Sequence, residues 1–325
     1  MKKKKVNGSI LTFALVAAAY VVVGWLLYTG GVSRQISNML IPISVYIVLA
    51  VSLNLVVGLL GELSLGHAGF MSVGLFSGCL VSIALVNVLP MPVRLPLSMI
   101  AGGLVAAVFG FIVGLPALRL KGDYLAIVTL ACGEIIKNVI TNLDFTGGAL
   151  GLNTGAIYSN AKTLLPYAAI LVLLTAVVMM NLKKSRHGRA IMAIRDNHIA
   201  AQAIGLNLTK YKLLAFVTSA ALAGAAGALF GLNYSSLQAT KFNFNLSILV
   251  LVFVVLGGLG NIWGSLIAAA ALTILPEALR PLHDYRMLIY AIVLIFVMLA
   301  TNNPQAKAFF GRLLPHRRAA AEKED

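Results

Sequence analysis

Nine apolar stretches, eight near the twenty or so residues that an α-helix needs to cross a bilayer and one longer, follow one another along the chain. They run near Ile10–Tyr28, Met39–Leu60, Ala68–Leu89, Leu97–Leu118, Tyr124–Ile140, Leu164–Leu182, Leu213–Leu232, Leu246–Pro276 and Tyr285–Thr301. Backbone N–H and C=O groups find no partners in hydrocarbon, so spans of this kind satisfy them internally, as helices. The expectation is an all-α polytopic membrane protein with about 8 to 10 transmembrane helices. Composition agrees: 60% of the 325 residues are hydrophobic and 11% charged, against roughly 45–50% apolar in soluble domains. In such a chain the net charge of +15 reads as loops held on the cytoplasmic side, not as a nucleic-acid surface. The two cysteines, Cys79 and Cys132, lie inside apolar runs without a C-x-x-C or a His at metal spacing, so they read as small buried hydrophobes. No metal site, catalytic triad or cofactor motif is expected. The phosphate-cradling G-x-x-x-x-G-K-[ST] is absent too, so any ATP is used by a partner.

The first span, behind Lys2–Lys5, is longer than a signal-peptide core and carries Trp25 and Tyr28 near its end. It reads as a retained anchor. Leu246–Pro276 is generous for one crossing and short for two, and Gly257, Gly258, Gly260 and Asn261 interrupt it. If it enters and returns to one face, eighteen basic residues fall inside and six outside; if it crosses once, the balance is fifteen to nine. The positive-inside rule therefore favours a broken, re-entrant pair with both termini cytoplasmic. On that reading 1–9 is a basic cytoplasmic N-terminus, 10–302 the transmembrane domain, 141–163 an exposed extracytoplasmic loop, 183–212 a cytoplasmic loop and 303–325 a charged cytoplasmic tail.

GELSLGHAG, Gly61–Gly69, sits between two spans much as GGLGNIWG, Gly257–Gly264, does. Interrupted helices in two halves of a transporter are where unwound backbone lines a substrate path. Asn54, Glu62, Ser64 and His67 around the first break, and Asn261 and Trp263 at the second, are accordingly candidate path residues. For Glu62 and His67 a cytoplasmic turn in water is an equal reading, and Trp263 also suits an interfacial anchor. Glu134, Lys137 and Asn138 share one helix face; Glu134 is a further path candidate, although a structural ion pair with Lys137 is the stronger reading.

The loop KKSRHGRAIMAIRDNHIAAQAIGLNLTKYK between two spans is the longest strongly basic one. Ala190–Ile194 is apolar enough to pack, Asp196 or Asn197 can cap a short helix over His198–Ile204, and Gly205 supplies a left-handed stop. Small residues Ala200, Ala201 and Ala203 on its surface suit docking in a groove of another protein. A loop that only fixes topology and touches anionic lipid is the competing reading.

Four motifs carry a family resemblance: GELSLGHAGF from Gly61, LRLKGDYLAIVTLACGEII from Leu118, RHGRAIMAIRDNHIAAQAIGLN from Arg186 and VVLGGLGNIWGSLIAAAALTILPEALR from Val254. With these the chain resembles the LivM-type permease subunits of branched-chain amino acid ABC importers. The loop is also similar to the E-A-A-x-x-x-G motif by which importer permeases contact their ATPases, matching at Ala200, Ala201 and Gly205, with Ile199 where the Glu would stand. The resemblance implies an importer permease fold with a cytoplasmic coupling loop, in which Arg189, Ala190, Arg195, Asp196, Ala200, Ala201 and Gly205 face the ATPase. It implies a bacterial inner-membrane complex of this chain, a LivH-type permease, LivG- and LivF-type ATPases that bind the ATP, and an extracytoplasmic solute-binding protein. The implied cargo is leucine, isoleucine or valine, with the loop 141–163 a candidate contact for the binding protein. Permeases for urea and short amides share the same motifs. A stand-alone carrier using Glu62, His67 and Glu134 as a proton relay is the reading from another class, and an enzyme is disfavoured by the absence of H-E-x-x-H and G-x-S-x-G.

Overall fold

The computed structural model describes residues 16–27, 29, 33–120, 122–280 and 285–302. Lys2–Lys5, Ile10–Leu15, Tyr28, Lys121 and the tails 1–9 and 303–325 lie outside the described residues, as do the side chains of Arg34 and Arg286. Contacts divide the chain into two units, Met1–Ala270 and Ala271–Asp325.

The architecture is all-α, as the apolar runs require. The helices are α1 (Val16–Leu27), α2 (Arg34–Asn54), α3 (His67–Ala84), α4 (Met91–Ala117), α5 (Asp123–Asn142), α6 (Ala161–Lys184), α7 (Arg186–Asp196), α8 (His198–Ala203), α9 (Leu208–Gly231), α10 (Phe244–Gly257), α11 (Ile262–Ala278) and α12 (Arg286–Asn302). Among the described residues six helices are long and apolar enough to cross a membrane: α2 with the turn that follows it, α3, α4, α5, α6 and α9; α1, α10 and α11 are shorter apolar helices. The second unit holds α12 and a 2.9 Å ion pair between Arg280 and Glu277.

In the first unit α3, α4 and α9 form the closest-packed group. Small residues permit it, because between helices in a membrane it is close backbone approach, not exclusion from water, that supplies the attraction. A Cβ on Gly74 would overlap the Gly224 backbone, one on Gly224 the Ala106 methyl, and one on Gly102 the Gly74 carbonyl. Helix α2 lies against α6, α9 and α10 and buries Ile41, Val45, Val48, Leu49 and Leu53 completely or nearly so.

Both expected interruptions are present. Helix α2 widens into a π-helical turn, Leu55–Leu60, that stops at Gly61 in the left-handed region (φ 77°), and residues 61–66 are non-helical before α3 begins. The apolar stretch from Leu246 is split at Gly258–Asn261 into α10 and α11.

The loop 141–163 departs from the exposed coil its Gly and Asn content suggests. It folds into three 3₁₀ turns and a two-residue strand, β1 (Leu152–Asn153), antiparallel to β2 (Ser236–Leu237). Leu152 and Ile157 bury apolar side chains beside fully buried Thr154, whose hydroxyl donates to the Tyr234 carbonyl. The amide of Ser159 donates to Leu232 O at 2.9 Å. Apolar anchors at every few positions order a segment that is polar on average; Leu150, 87% exposed, and Phe145 remain on its surface.

Candidate functional site

The two breaks, far apart in sequence, meet. The widened turn ending α2 brings Gly58 against Gly260, so closely that a Cβ on Gly58 would overlap both the Gly260 backbone and Asn54 Oδ1. Asn54, with no exposed surface, holds the junction. Its Oδ1 accepts from the Gly260 amide at 2.8 Å, and its Nδ2 donates to Asn261 O at 3.1 Å and Ser265 Oγ at 2.8 Å. One acceptor and both donors of a single carboxamide are thereby used on a segment that cannot complete its own helical bonding.

The basic loop closes over this junction. Helix α6 runs to Lys184; Ser185 then caps α7, accepting from the Gly188 amide at 3.1 Å. Helix α7 buries Ala190, Ile191 and Ile194 against the π-turn and α9, the packing that its apolar positions suggest. From its end Arg195 Nη1 donates to Gly58 O at 3.1 Å, while Nε and Nη2 donate to Asp196 Oδ1 at 3.0 and 2.9 Å. The Arg195 side chain fills the space in front of Gly61. Lys183 Nζ donates to Gly260 O at 2.9 Å. At the start of α9, Lys212 forms an ion pair with Glu62, both side chains nearly buried.

Helix α8 is built as its sequence suggests, one residue shorter. Asn197 Oδ1 accepts from the Ile199 and Ala200 amides at 3.1 and 3.0 Å. Gly205 ends the helix at φ 84°, and the Leu206 amide reaches back to Ala201 O at 3.1 Å. Ile199 and Ile204 are 70% and 76% exposed, and Ala200 and Ala203 share the surface with them. Ala201 is corrected: it is 2% exposed and packs inward, because a six-residue helix lying on the protein must turn one of its faces down. Of the other coupling candidates, Arg189 and Asp196 are exposed and Ala190 is buried.

The path candidates divide. Asn54, Glu62 and Asn261 belong to the junction. His67, the first residue of α3, is buried, with Nε2 2.8 Å from Ser52 Oγ; Ser219 Oγ donates to Ser52 O at 2.6 Å. Ser64 is 1% exposed, and its hydroxyl has no partner among the described residues. Trp263 is half-buried on α11. Glu134 stands apart: it pairs with Lys137, and its Oε1 accepts from the Phe244 amide at 2.9 Å. It therefore caps the first turn of α10, the end away from the break, where a carboxylate complements the helix dipole. Sequence reasoning missed Gly58, Lys183, Lys212 and Ser265. The lysines were visible only as loop charge, and Gly58 only as one glycine in an apolar run.

No group of three metal-ligating side chains occurs among the described residues. The two interrupted helices share a polar junction, and α7 connects it to the exposed helix α8.

Residues 35–298 match the family described as branched-chain amino acid transport system, permease component. The chain is 34% identical to the high-affinity branched-chain amino acid transport system permease protein LivM of Salmonella typhimurium, over 88% of this chain and 72% of that one. It is 33% identical to LivM of Escherichia coli K12 over the same shares, and 23% identical to LivH of that organism over 79% of this chain and 89% of the relative. No solved structure matches.

Proposed function

This chain belongs to the permease components of branched-chain amino acid transport systems, and from that premise we propose how its parts serve import. As a member of that family it is a multi-pass transport subunit, not an enzyme, and ATP is bound by partner ATPases.

In the proposed assembly it stands beside a LivH-type permease in the bacterial inner membrane, over LivG- and LivF-type ATPases and beneath a solute-binding protein, and passes leucine, isoleucine or valine. Relatives of both permease names match this chain, in keeping with a paired origin. Both termini lie in the cytoplasm, and α10–α11 enters and returns to one face. The observation that carries the reading is α8: a capped helix with Ile199 and Ile204 exposed, fixed through α7 to the junction of the two breaks. An apolar ridge on a short, preordered helix is what a groove in another protein can hold. A loop that serves only topology has no use for an Asn cap and a glycine stop. Arg189, Arg195, Asp196, Ala200 and Gly205 belong to the coupling element, with Ala190 and Ala201 as its packed underside. Asn54, Glu62, Ser64, His67, Asn261 and Trp263 shape the path as the breaks move, while Glu134 braces α10. The folded segment 141–163 presents Leu150 and Phe145 to the binding protein.

Uptake of labelled leucine, with urea as a parallel tracer, tests this in cells lacking only this chain and complemented with it or with Gly205→Val. At Gly205 nothing among the described residues lies within 4 Å of a new Cβ, but φ is 84°, so a β-branched residue is strained by backbone alone. Leucine uptake should return with the unaltered chain and not with the variant. Intact leucine uptake with lost urea uptake would move the cargo to amides. Uptake that survives Gly205→Val but collapses with the proton gradient would replace the importer reading by a carrier.

A further inference from the structure

Interrupting a helix leaves carbonyl oxygens without the N–H groups that would have followed, and inside a membrane protein such oxygens need donors. The carbonyl of Gly58 lies in the last turn before the first break, where the chain leaves the helix at Gly61 and the Glu62 amide returns to Val56 O instead. That of Gly260 lies within the second break, where the Asn261 amide turns back to Gly258 O. Each of these carbonyls receives a cation from the same loop: Arg195 at 3.1 Å on Gly58 O, and Lys183 at 2.9 Å on Gly260 O. The two peptides so held are themselves in contact, and Asn54 binds the Gly260 amide beside them. Lys183 is the penultimate residue of α6, which leads into α7, and Arg195 is the penultimate residue of α7, two before Asn197, the cap of α8.

We propose that Arg195 and Lys183 are positioning residues that transmit displacement of α7–α8 to the paired breaks at Gly58 and Gly260, acting as two charged tethers on adjacent peptide carbonyls. This rests on the reading of α8 as the ATPase contact. A tether of this kind suits the task. A charged donor on a carbonyl is among the stronger neutral-backbone contacts, yet it exchanges for water without leaving a side-chain cavity, so it can be made and released in each transport cycle. Arg195 brings geometry as well as charge: its other two donors on Asp196 leave Nη1 as the arm that reaches Gly58, so the guanidinium plane is set by the loop and read by the break.

The test uses the complete transporter, purified with its partner subunits and reconstituted, as wild type, Arg195→Gln, Arg195→Lys, Lys183→Gln, and Lys184→Gln as a neighbouring charge control. The first reading is leucine uptake per ATP hydrolysed. It should fall about tenfold in Arg195→Gln and in Lys183→Gln, the scale of one charge-assisted hydrogen bond, with ATPase subunits retained at wild-type yield. Arg195→Lys, which keeps a charged donor, should recover part of it, and Lys184→Gln should match wild type. The second reading is independent of cargo: hydrogen exchange of the amides in residues 55–66 with and without a non-hydrolysable ATP analogue. Wild-type protection should change on nucleotide binding, and the change should be lost in both Gln variants. The proposal is overturned if wild type shows no nucleotide-dependent change there, if the change survives Arg195→Gln and Lys183→Gln, or if those variants simply lose the ATPase subunits. Absence of leucine uptake by the unaltered complex would instead remove the cargo reading and leave the exchange result to decide the tethers.

Discussion

The Glu62–Lys212 pair permits a calculation. The Lys212 and Glu62 side chains are only 9% and 13% exposed, and they join the first break to the start of α9. Removing one partner strands the other as an uncompensated charge in a low-dielectric site, which costs about 3–5 kcal/mol for a buried pair. Removing both with residues of similar volume lifts the desolvation cost of both ions together, and such replacements are neutral or stabilising by about 1–4 kcal/mol. Glu62→Met and Lys212→Met should therefore each destabilise strongly while the double variant lies near wild type, a coupling of several kcal/mol and far from additive. The exposed pair Arg280–Glu277, 58% and 32% open, provides the internal scale: its removal should cost only about 0.3–0.5 kcal/mol. Reversible unfolding of the purified chain in mixed detergent micelles, titrated with SDS, measures all of these on one axis. If either single variant at the break costs less than about 1 kcal/mol, the value of a surface pair, or if the two losses simply add, the inference that this pair is a desolvated unit is wrong.

Two further outcomes follow from the geometry. Gly58→Ala places a methyl against Asn54 Oδ1 and the Gly260 backbone, overpacking worth about 1–3 kcal/mol; membrane insertion and association with the ATPase subunits should be kept while leucine uptake is lost, and normal uptake would show that the breaks need not approach. Asn197→Ala removes the acceptor for two α8 amides at about 1 kcal/mol, so amide exchange across residues 198–204 should speed about fivefold while that of α9 is unchanged, and Asn197→Asp, which keeps the acceptor, should restore protection.

What the sequence displays and what it conceals separate along a physical line. The spans are legible because a bilayer forces some twenty apolar residues into one helix, and the break in Leu246–Pro276 is legible because Gly257, Gly258 and Gly260 with Asn261 crowd four weak helix formers into five positions. Helix α8 is legible for the same kind of reason: an Asn cap and a left-handed glycine act on neighbours three or four residues away, and Asn197 and Gly205 do so here. The short loop strand was concealed because Leu152 pairs with Leu237, and two-residue strands have no period to read.

The junction itself shows why local chemistry does not reveal a long-range site. Of the contacts that build it, Arg195 on Gly58 O, Lys183 on Gly260 O and Asn54 on the Gly260 amide each join a side chain to backbone, and backbone has no residue identity to recognise. Counting basic residues assigns Lys183, Arg195 and Lys212 a single role, to hold a loop on the positive side. In the folded chain the same three charges each have a specific acceptor at one of the two breaks. The roles are compatible, since a cation that counts toward the positive-inside balance can also reach a carbonyl left open at the end of an interrupted helix. Glu134 follows the same logic from the other end of α10: the ion pair with Lys137 expected from their i,i+3 spacing is present, and the carboxylate's second oxygen braces the first turn of a half-helix through the Phe244 amide. A short helix that does not span the membrane unaided has both ends to secure, and here one is secured by an acid at its N-terminus and the other by a carboxamide and an amine at the glycines where it stops.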